Sequence, residues 1–299
     1  MSVNKRALVT GLSGFTGHYV AAELAEAGFD VYGVGEQPCT LPQYTRADLT
    51  DRNALHALVE EVRPHVVLHL AGLAFVAIDN AAAYYSVNTA GTRNLLEALA
   101  TGARNVECVL LASSANVYGN STEGVLDETA SLNPANDYAV SKLAMEYMAR
   151  LWFDRLPIVV TRPFNYTGVG QSESFLLPKI VGHFQRGEKQ IELGNLDVFR
   201  DFSDVRAVAN AYRRLVQACP AGEIVNVCSG RSYSLREVIG IVEAIAGYDM
   251  EIRINPSFVR AHEVRSLLGS AERLRKIIGE WDTHPLRETL EWMYCSPPQ

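Results

Sequence analysis

The stretch VTGLSGFTGHYV (residues 9–20) carries three glycines, Gly11, Gly14 and Gly17, at GxxGxxG spacing. The run before it, RALVT (6–10), is typical of a buried β-strand, and the residues after it are typical of a helix. Glycines here let the backbone turn tightly and approach a pyrophosphate, while the helix N-terminus offers N–H donors to the anion. The stretch predicts a dinucleotide-binding turn, with an ordinary glycine turn as the alternative.

Short β-branched runs alternate with longer helical patterns along the first two thirds of the chain. This alternation predicts an α/β fold, a doubly wound parallel Rossmann-type sheet covered by helices on both faces. Two predicted helices, each with one wide apolar face, cover residues 80–103 and 138–153. The predicted strands after the first cover residues 30–34, 65–70, 107–113, 156–162 and 223–228.

The pattern becomes irregular after Gly168 and again from about Met250. We expect residues 1–168 plus roughly 203–247 to form the dinucleotide-binding domain. Residues from roughly 169 to 202, plus 248–299, are expected to form a smaller C-terminal substrate-binding lobe over the carboxyl edge of the sheet. Because no linker or low-complexity tract separates the two parts, the predicted boundary is spatial rather than sequential.

Composition excludes several classes of function. The net charge is −7, and no basic cluster is long enough to follow a phosphate backbone, so we expect no nucleic-acid partner. Five cysteines without CxxC spacing and seven histidines without HxH or HExxH spacing predict reduced thiols and no metal site. No run is apolar enough for a signal peptide or a membrane span, so we expect a cytoplasmic protein without a membrane partner.

YAVSK (138–142) places Tyr138 and Lys142 four residues apart, on one face of a predicted helix. Free tyrosine has a pKa of about 10, and a nearby ammonium lowers that pKa by stabilising the phenolate. Ser114 lies at the end of the predicted strand 107–113, at the edge where doubly wound sheets bind ligands. Ser114 could hold a carbonyl oxygen while Tyr138 exchanges its proton. The alternative is a surface helix on which Tyr and Lys are chance neighbours.

With SSANVYG (113–119) and YAVSK beside the glycine loop, the chain resembles the extended short-chain dehydrogenase/reductase family. The resemblance spans almost the whole chain through HLAG (69–72), VNTAGTRNLL (87–96), RPFN (162–165), RDFSDV (200–205) and NVCSG (226–230). It implies catalytic roles for Ser114, Tyr138 and Lys142, and NAD(H) or NADP(H) as the cofactor. The cofactor-binding residues that it implies are Gly11, Ser13, Gly14, Phe15, Thr16, Gly17, Glu36, Asp48, Leu49, Leu70, Ala71, Gly72, Asn88 and Pro163.

More narrowly, the chain is similar to nucleotide-diphosphate-sugar enzymes, and among them to GDP-4-keto-6-deoxy-mannose reductases, which make GDP-rhamnose. This likeness implies a nucleotide-diphospho-sugar as the binding partner, and arginine's planar fork suits its phosphates. The implied substrate-binding residues are Asn165, Lys179, Arg200, Arg260 and Glu263. Each arginine has an alternative role as a solvated or salt-bridged residue. VRAHE (259–263) departs from the pattern because it lacks the proline usual after that arginine.

The two residues after Ser114 bear on the reaction. Dehydratases of this family carry acidic residues there, which remove a proton from one sugar carbon and protonate the leaving hydroxyl on the next. In this chain the positions hold Ala115 and Asn116, and neither is an acid or a base. Ketone reduction is therefore favoured over dehydration. The alternatives left open are a nucleotide-sugar 4-epimerase, which uses the same three catalytic residues, and a non-catalytic dinucleotide sensor.

The residues after the second predicted strand bear on the choice of dinucleotide. YGVGEQ (32–37) lacks the serine-arginine pair suited to a 2′-phosphate, and it has Gly35 at the usual acidic position with Glu36 next. A carboxylate there accepts hydrogen bonds from the adenosine ribose and repels a 2′-phosphate, so the sequence favours NADH. Glu36 could instead point into water.

Similar enzymes form helix-bundle dimers, so the apolar faces of helices 80–103 and 138–153 predict a homodimer. The alternative is that both faces pack on the sheet of their own chain.

Overall fold

The computed structural model describes residues 4–74, 80–103, 105–119, 124–258 and 265–297. The strands are β1 (Arg6–Thr10), β2 (Asp30–Gly35), β3 (Tyr44–Arg46), β4 (Val66–His69), β5 (Cys108–Ala112), β6 (Val125–Leu126), β7 (Ile158–Pro163), β8 (Asn165–Thr167), β9 (Gln190–Leu193), β10 (Phe199–Asp204), β11 (Ile224–Val227), β12 (Ser232–Ser234), β13 (Glu251–Ile254) and β14 (Ser266–Gly269). The helices are α1 (Phe15–Glu26), α2 (Arg52–Val62), α3 (Ala81–Tyr84), α4 (Thr92–Gly102), α5 (Asp137–Arg150), α6 (Leu176–Gln185), α7 (Val205–Ala218), α8 (Leu235–Ala246), α9 (Glu272–Ile278) and α10 (Leu286–Cys295).

Within the described residues, the main sheet has seven strands in the order β11-β7-β5-β4-β1-β2-β3. Every neighbouring pair in it is parallel. The fold is thus Rossmann-like, as predicted, and each predicted strand is present within two residues of its expected ends. The sequence did not predict β3, because a half-exposed run of only three residues, YTR, has no periodicity to detect.

Helices cover both faces of this sheet. On one face, α1 and α7 pack their buried residues against the side chains of Ala7, Val9, Leu68 and Leu110. On the other face, α2, α4 and α5 pack against the alternate residues of the same strands, including Leu8 and Val109. The central strands are therefore mostly apolar on both faces, because both faces are buried.

The predicted helix 80–103 contains an irregular segment. Residues 85–91 form a π-helical turn between α3 and α4, and Asn88 is buried in the middle of this turn. The extra residue in each turn rotates the helix, and π-helical turns are frequent at functional sites.

A second sheet of β12, β10, β14 and β6, with β8 paired to β10, and a ribbon of β9 and β13 build the smaller lobe. The buried residues of α6, α8 and α10 share one apolar cluster there. The predicted division of the chain stays a prediction, but the packing favours a revision for two segments. The helix α8, expected in the first domain, packs in the lobe, whereas α9, expected in the lobe, packs on α7 of the Rossmann-like part.

Along the described ranges, no helix reaches the length and apolar content that a membrane crossing requires.

Candidate active site

The glycine loop connects β1 to α1 at the carboxyl edge of the sheet. Gly11 has a φ of +71°, which side chains rarely tolerate, and a Cβ there would lie 2.8 Å from the backbone nitrogen of Ala71. A Cβ on Gly17 would lie 2.3 Å from the carbonyl oxygen of Gly11. The loop therefore packs closely on both α1 and the segment after β4, which leaves its exposed Gly14 face open to a ligand.

The N-terminus of α1 suits an anion. No side-chain hydrogen bond caps it, a property that it shares with α3, α4, α6, α9 and α10. Uncapped N–H groups and the helix dipole together favour a bound phosphate. These residues fit the pyrophosphate of a nicotinamide dinucleotide, which supplies a hydride when bound in its reduced form.

The other predicted loop residues lie beside the same turn. The Oγ1 of Thr16 is 2.9 Å from the hydroxyl of Tyr166, and the Phe15 ring stacks on the Tyr166 ring at 6.1 Å between centroids. The Oγ of Ser13 is 3.3 Å from the hydroxyl of Tyr44. Tyr166 comes from β8, so these contacts join the glycine loop to the edge of the lobe.

The end of β2 explains why the usual acidic position holds glycine. A Cβ on Gly35 would lie 2.7 Å from the hydroxyl of Tyr44, so a side chain has no room there. Glu36 is exposed just beyond. Arg46 pairs with Gly35 across β2 and β3, and its Nε donates to the Glu36 carbonyl oxygen at 2.8 Å. The acidic Glu36 and the basic Arg46 therefore lie on either side of Gly35 at the end of β2.

Two predicted residues after β3 have structural contacts. The carboxylate of Asp48 accepts from the Thr50 backbone N–H at 2.8 Å, and Leu49 is buried. Leu49 lies against Gly91 at the end of the π-helical turn, where a Cβ would meet its side chain. Asp48 is exposed, so its carboxylate stays accessible on its outer side.

Asn88 ties the segment after β4 to α5. Its Oδ1 accepts from the Leu73 backbone N–H at 2.9 Å, and its Nδ2 donates to Ser141 Oγ at 3.0 Å. Ser141 in turn donates to the carbonyl oxygen of Tyr138 at 2.7 Å. The predicted residues Leu70, Ala71 and Gly72 form the loop held by this linkage, and Pro163 ends the buried strand β7.

A buried hydrogen-bond chain that the sequence did not reveal underlies this loop. Ala71 N–H donates to Thr10 Oγ1 at 3.1 Å, which is 2.7 Å from His69 Nδ1. His69 Nε2 is 2.8 Å from Thr92 Oγ1, which donates to the Asn88 carbonyl oxygen at 2.7 Å. Since Thr92 donates onward, His69 carries its proton on Nε2. Burial, with the nearby charge of Lys142, lowers the pKa of His69 to about 3, so the ring is neutral.

Ser114, Tyr138 and Lys142 meet at the carboxyl edge, as the sequence predicts. Ser114 follows β5 and lies near enough to Tyr138, in the first turn of α5, to lower the pKa of that phenol. All three are buried, with exposed fractions of 5%, 7% and 6%. The Nζ of Lys142 donates to the carbonyl oxygen of Ala112 at 2.8 Å, which anchors it to the end of β5.

The pKa of Tyr138 differs from the expectation that the Lys142 ammonium lowers it. Burial raises the pKa of Tyr138 to about 12, and the group that lowers it is Ser114, through its hydrogen bond, rather than Lys142. Burial also lowers the pKa of Lys142 to about 8. Desolvation thus outweighs the predicted ammonium effect in the protein alone, and Tyr138 is a protonated phenol at neutral pH. A phenol in that state can donate a proton to a ketone oxygen as hydride arrives.

A buried ion pair beneath the trio was also not predicted. Arg162 donates to both carboxylate oxygens of Glu146, at 3.0 and 2.7 Å, and Ser113 Oγ donates to the same carboxylate at 2.5 Å. Arg162 also donates to the Tyr118 hydroxyl at 3.0 Å. Because Glu146 lies one turn after Lys142, this cluster fixes α5 against β7 and the Ser113–Ser114 turn. The signal in the sequence was the arginine within the otherwise largely apolar strand β7.

The predicted substrate-binding residues are only partly brought together. Asn165 and Arg200 lie on the paired strands β8 and β10, where Asn165 Nδ2 donates to the Asp201 carbonyl oxygen at 3.4 Å. Lys179 lies on α6, with its Nζ donating to the Glu192 carbonyl oxygen at 2.9 Å and lying 4.6 Å from the centroid of the Phe258 ring. Arg260 and Glu263 lie outside the described residues. Over the described ranges, no group of three or more His, Cys, Asp and Glu residues is arranged to hold a metal ion.

A parallel sheet in this order, a glycine loop at its edge and a Ser, Tyr and Lys trio opposite define an extended short-chain dehydrogenase/reductase, an oxidoreductase. The family model described as GDP-mannose 4,6 dehydratase matches residues 8–293, and the chain belongs to this family. The resemblance seen in the sequence is therefore confirmed.

Two relatives cover nearly the whole chain. The GDP-6-deoxy-D-mannose reductase of Pseudomonas aeruginosa is 38% identical, over 93% of this chain and 92% of its own length. The GDP-6-deoxy-D-talose 4-dehydrogenase of Aggregatibacter actinomycetemcomitans is 35% identical, over 96% of each chain.

Two solved structures share the fold over 97% of this chain. The structure of RMD from Pseudomonas aeruginosa complexed with NADPH is 35% identical, is covered over 96% of its length and superposes with a TM-score of 0.84. A crystal structure from Burkholderia cenocepacia J2315, provisionally described as an epimerase, is 55% identical, is covered over 97% of its length and has a TM-score of 0.91.

Proposed function

We propose that this enzyme reduces the C4 ketone of a nucleotide-diphospho-4-keto-6-deoxy-sugar with NAD(P)H, converting GDP-4-keto-6-deoxy-mannose to GDP-rhamnose. The observation that carries the proposal is the buried Ser114–Tyr138 pair, a protonated phenol beside a hydroxyl with no carboxylate on the two residues that follow Ser114. The relatives named for GDP-6-deoxy sugars support the substrate class.

In this reaction Ser114 would hold the ketone oxygen and Tyr138 would give that oxygen its proton. Lys142, anchored on Ala112, would bind the cofactor ribose and supply positive charge near the phenol. Asn165 and Arg200 would bind the diphospho-sugar from the lobe side, together with Lys179, Arg260 and Glu263. The hydride comes from the reduced dinucleotide, so the ketone gains one hydride and one proton and the dinucleotide is oxidised.

The test is a panel of GDP- and dTDP-4-keto-6-deoxy sugars, each with NADH and with NADPH, plus unmodified GDP-mannose. We expect one reduced dinucleotide to be consumed per alcohol formed from the GDP ketone, and no 4-keto product from GDP-mannose. Analysis of the product distinguishes GDP-rhamnose from GDP-6-deoxy-talose, since mannose and talose differ in configuration at C4. A 4-keto product from GDP-mannose would contradict the proposal.

A 4-epimerase remains the second candidate, because the structure from Burkholderia cenocepacia is provisionally described as an epimerase. It would use the same trio, with a ketone formed and re-reduced on the enzyme. Tightly bound NAD, with C4 epimerisation of an unmodified sugar nucleotide and no net consumption of dinucleotide, would favour this function.

For the cofactor, we propose that NADH is used at least as well as NADPH. The exposed Glu36 carboxylate lies beyond β2, where it would repel a 2′-phosphate. Glu36→Arg is expected to shift the kcat/KM ratio towards NADPH by about 10- to 100-fold, the range of one charge-assisted hydrogen bond.

The matched control is Glu61→Arg, the same charge change on an exposed residue of α2, which should leave the ratio unchanged. A wild type that strongly selects NADPH would mean that Glu36 does not face the ribose. Arg46→Ala would then test whether Arg46, beside Gly35, holds the phosphate.

We also propose that the protein forms a homodimer. Leu95, Leu96 and Leu99 of α4 pack on the sheet of their own chain. Tyr147 on α5 and Leu151 directly after it are, however, 54% and 80% exposed. These exposed apolar residues, at helical spacing with Val140, support pairing through α5.

A further inference from the structure

The hydroxyl of Ser114 has an unusual set of hydrogen bonds. Its Oγ accepts from the backbone N–H of Asn116 at 3.1 Å and from the Nδ2 of the same residue, also at 3.1 Å. A serine hydroxyl offers two acceptor lone pairs and one O–H donor. Asn116 therefore occupies both acceptor positions, and only the O–H of Ser114 remains available.

We propose that Asn116 is a positioning residue for the reduction, because it fixes Ser114 as a hydrogen-bond donor, whose one O–H is directed to Tyr138 in the free protein and to the substrate oxygen once the ketone is bound. The inference rests on the proposed function for its substrate. With its lone pairs filled, Ser114 cannot take a proton from Tyr138. The phenol proton is then kept for the ketone oxygen, which receives hydrogen bonds from two donors.

The electrostatics of Tyr138 agree with this direction of donation. The hydrogen bond from Ser114 acts to lower the pKa of Tyr138, which is the effect of a donor on the phenol oxygen.

A carboxylate at position 116 would reverse the arrangement. An ionised aspartate has the shape of asparagine but only accepts hydrogen bonds, so it would draw the Ser114 O–H away from Tyr138. The turn itself does not depend on that side chain. Backbone bonds from Val117 N to Ser114 O, Gly119 N to Asn116 O and Asn133 N to Val117 O hold it. Variants at 116 should therefore keep the fold.

The experiment measures kcat and KM for the GDP-4-keto-6-deoxy sugar in wild type, Asn116→Asp, Ser114→Ala and the double variant. Asn116→Asp should lower kcat by about 10²-fold with little change in KM, the usual effect of losing one donor on a reacting oxygen. Activity should recover as the pH falls and the new carboxyl becomes protonated. In the Ser114→Ala background the same substitution should have no further effect, because its target is gone.

The matched control is Asn133→Asp, which adds the same charge to an exposed residue beside the turn and should retain full activity. Additive losses in the double variant would overturn the proposal, since a purely structural role does not need Ser114. A crystal structure of Asn116→Asp gives a readout independent of turnover, because Ser114 Oγ should then bond to the carboxylate. If Ser114 still contacts Tyr138 in that structure, the proposal is wrong. Failure of the wild type on every ketone would overturn the proposed function instead.

Discussion

Replacing Tyr138 by phenylalanine is expected to lower kcat by about 10²- to 10⁴-fold while dinucleotide binding is unchanged. The substitution removes only the hydroxyl, and the ring can keep its edge contact with Tyr84 at 6.1 Å between centroids. Since burial holds the pKa of Tyr138 near 12, the hydroxyl carries its proton at neutral pH and is the donor that the ketone would use. The glycine loop between β1 and α1, where we expect the dinucleotide phosphates to bind, is not changed by the substitution.

Turnover with the ketone and titration of the dinucleotide measure these two effects separately. Tyr147→Phe is the matched control, because it removes the same hydroxyl from the same helix at a residue that is 54% exposed. This control should retain full activity. If Tyr138→Phe kept most of the wild-type activity, another group would have to supply the proton.

Local patterns were enough to predict the fold. The buried strands β1, β4, β5 and β7 are mostly apolar runs that alternate with longer helical patterns along the chain, as expected for a parallel sheet covered by helices. What local patterns could not predict was the pairing of distant polar residues. His69 bonds to Thr10 and Thr92 because β4 lies beside β1 and beneath α4, a relation that no spacing in the sequence encodes.

For the candidate site, the sequence predicted which three residues come together but not how burial changes their pKa values. Tyr138 and Lys142 share a helix turn, so their spacing carried the information, and Ser114 was found because it ends a strand. The expected effect of Lys142 on Tyr138 failed because the cost of desolvation depends on burial, which a sequence does not give. The short strand β3 also places Arg46 beside Gly35, a neighbour relation that the linear sequence does not show.

The second prediction concerns the buried pair of Glu146 and Arg162, whose side chains are 1% and 2% exposed. Arg162→Met should lower the free energy of unfolding by about 3–5 kcal/mol, because it leaves the Glu146 carboxylate buried without its cation. Ser113 would remain as a donor to Glu146, but one neutral hydroxyl cannot replace the charged guanidinium of Arg162, which donates two hydrogen bonds. Denaturant unfolding at neutral pH measures the loss.

The control is Arg236→Met, which breaks the pair with Asp197 between side chains that are 63% and 71% exposed. That change should cost less than about 1 kcal/mol, because water screens an exposed pair. The double variant Arg162→Met with Glu146→Gln should be more stable than Arg162→Met alone, since the amide removes the carboxylate that has lost Arg162. Equal stability of the single and double variants would show that lost packing, rather than an uncompensated carboxylate, causes the effect. The pair should also affect catalysis. Glu146 anchors α5 to β7, and the same helix carries Tyr138 and Lys142.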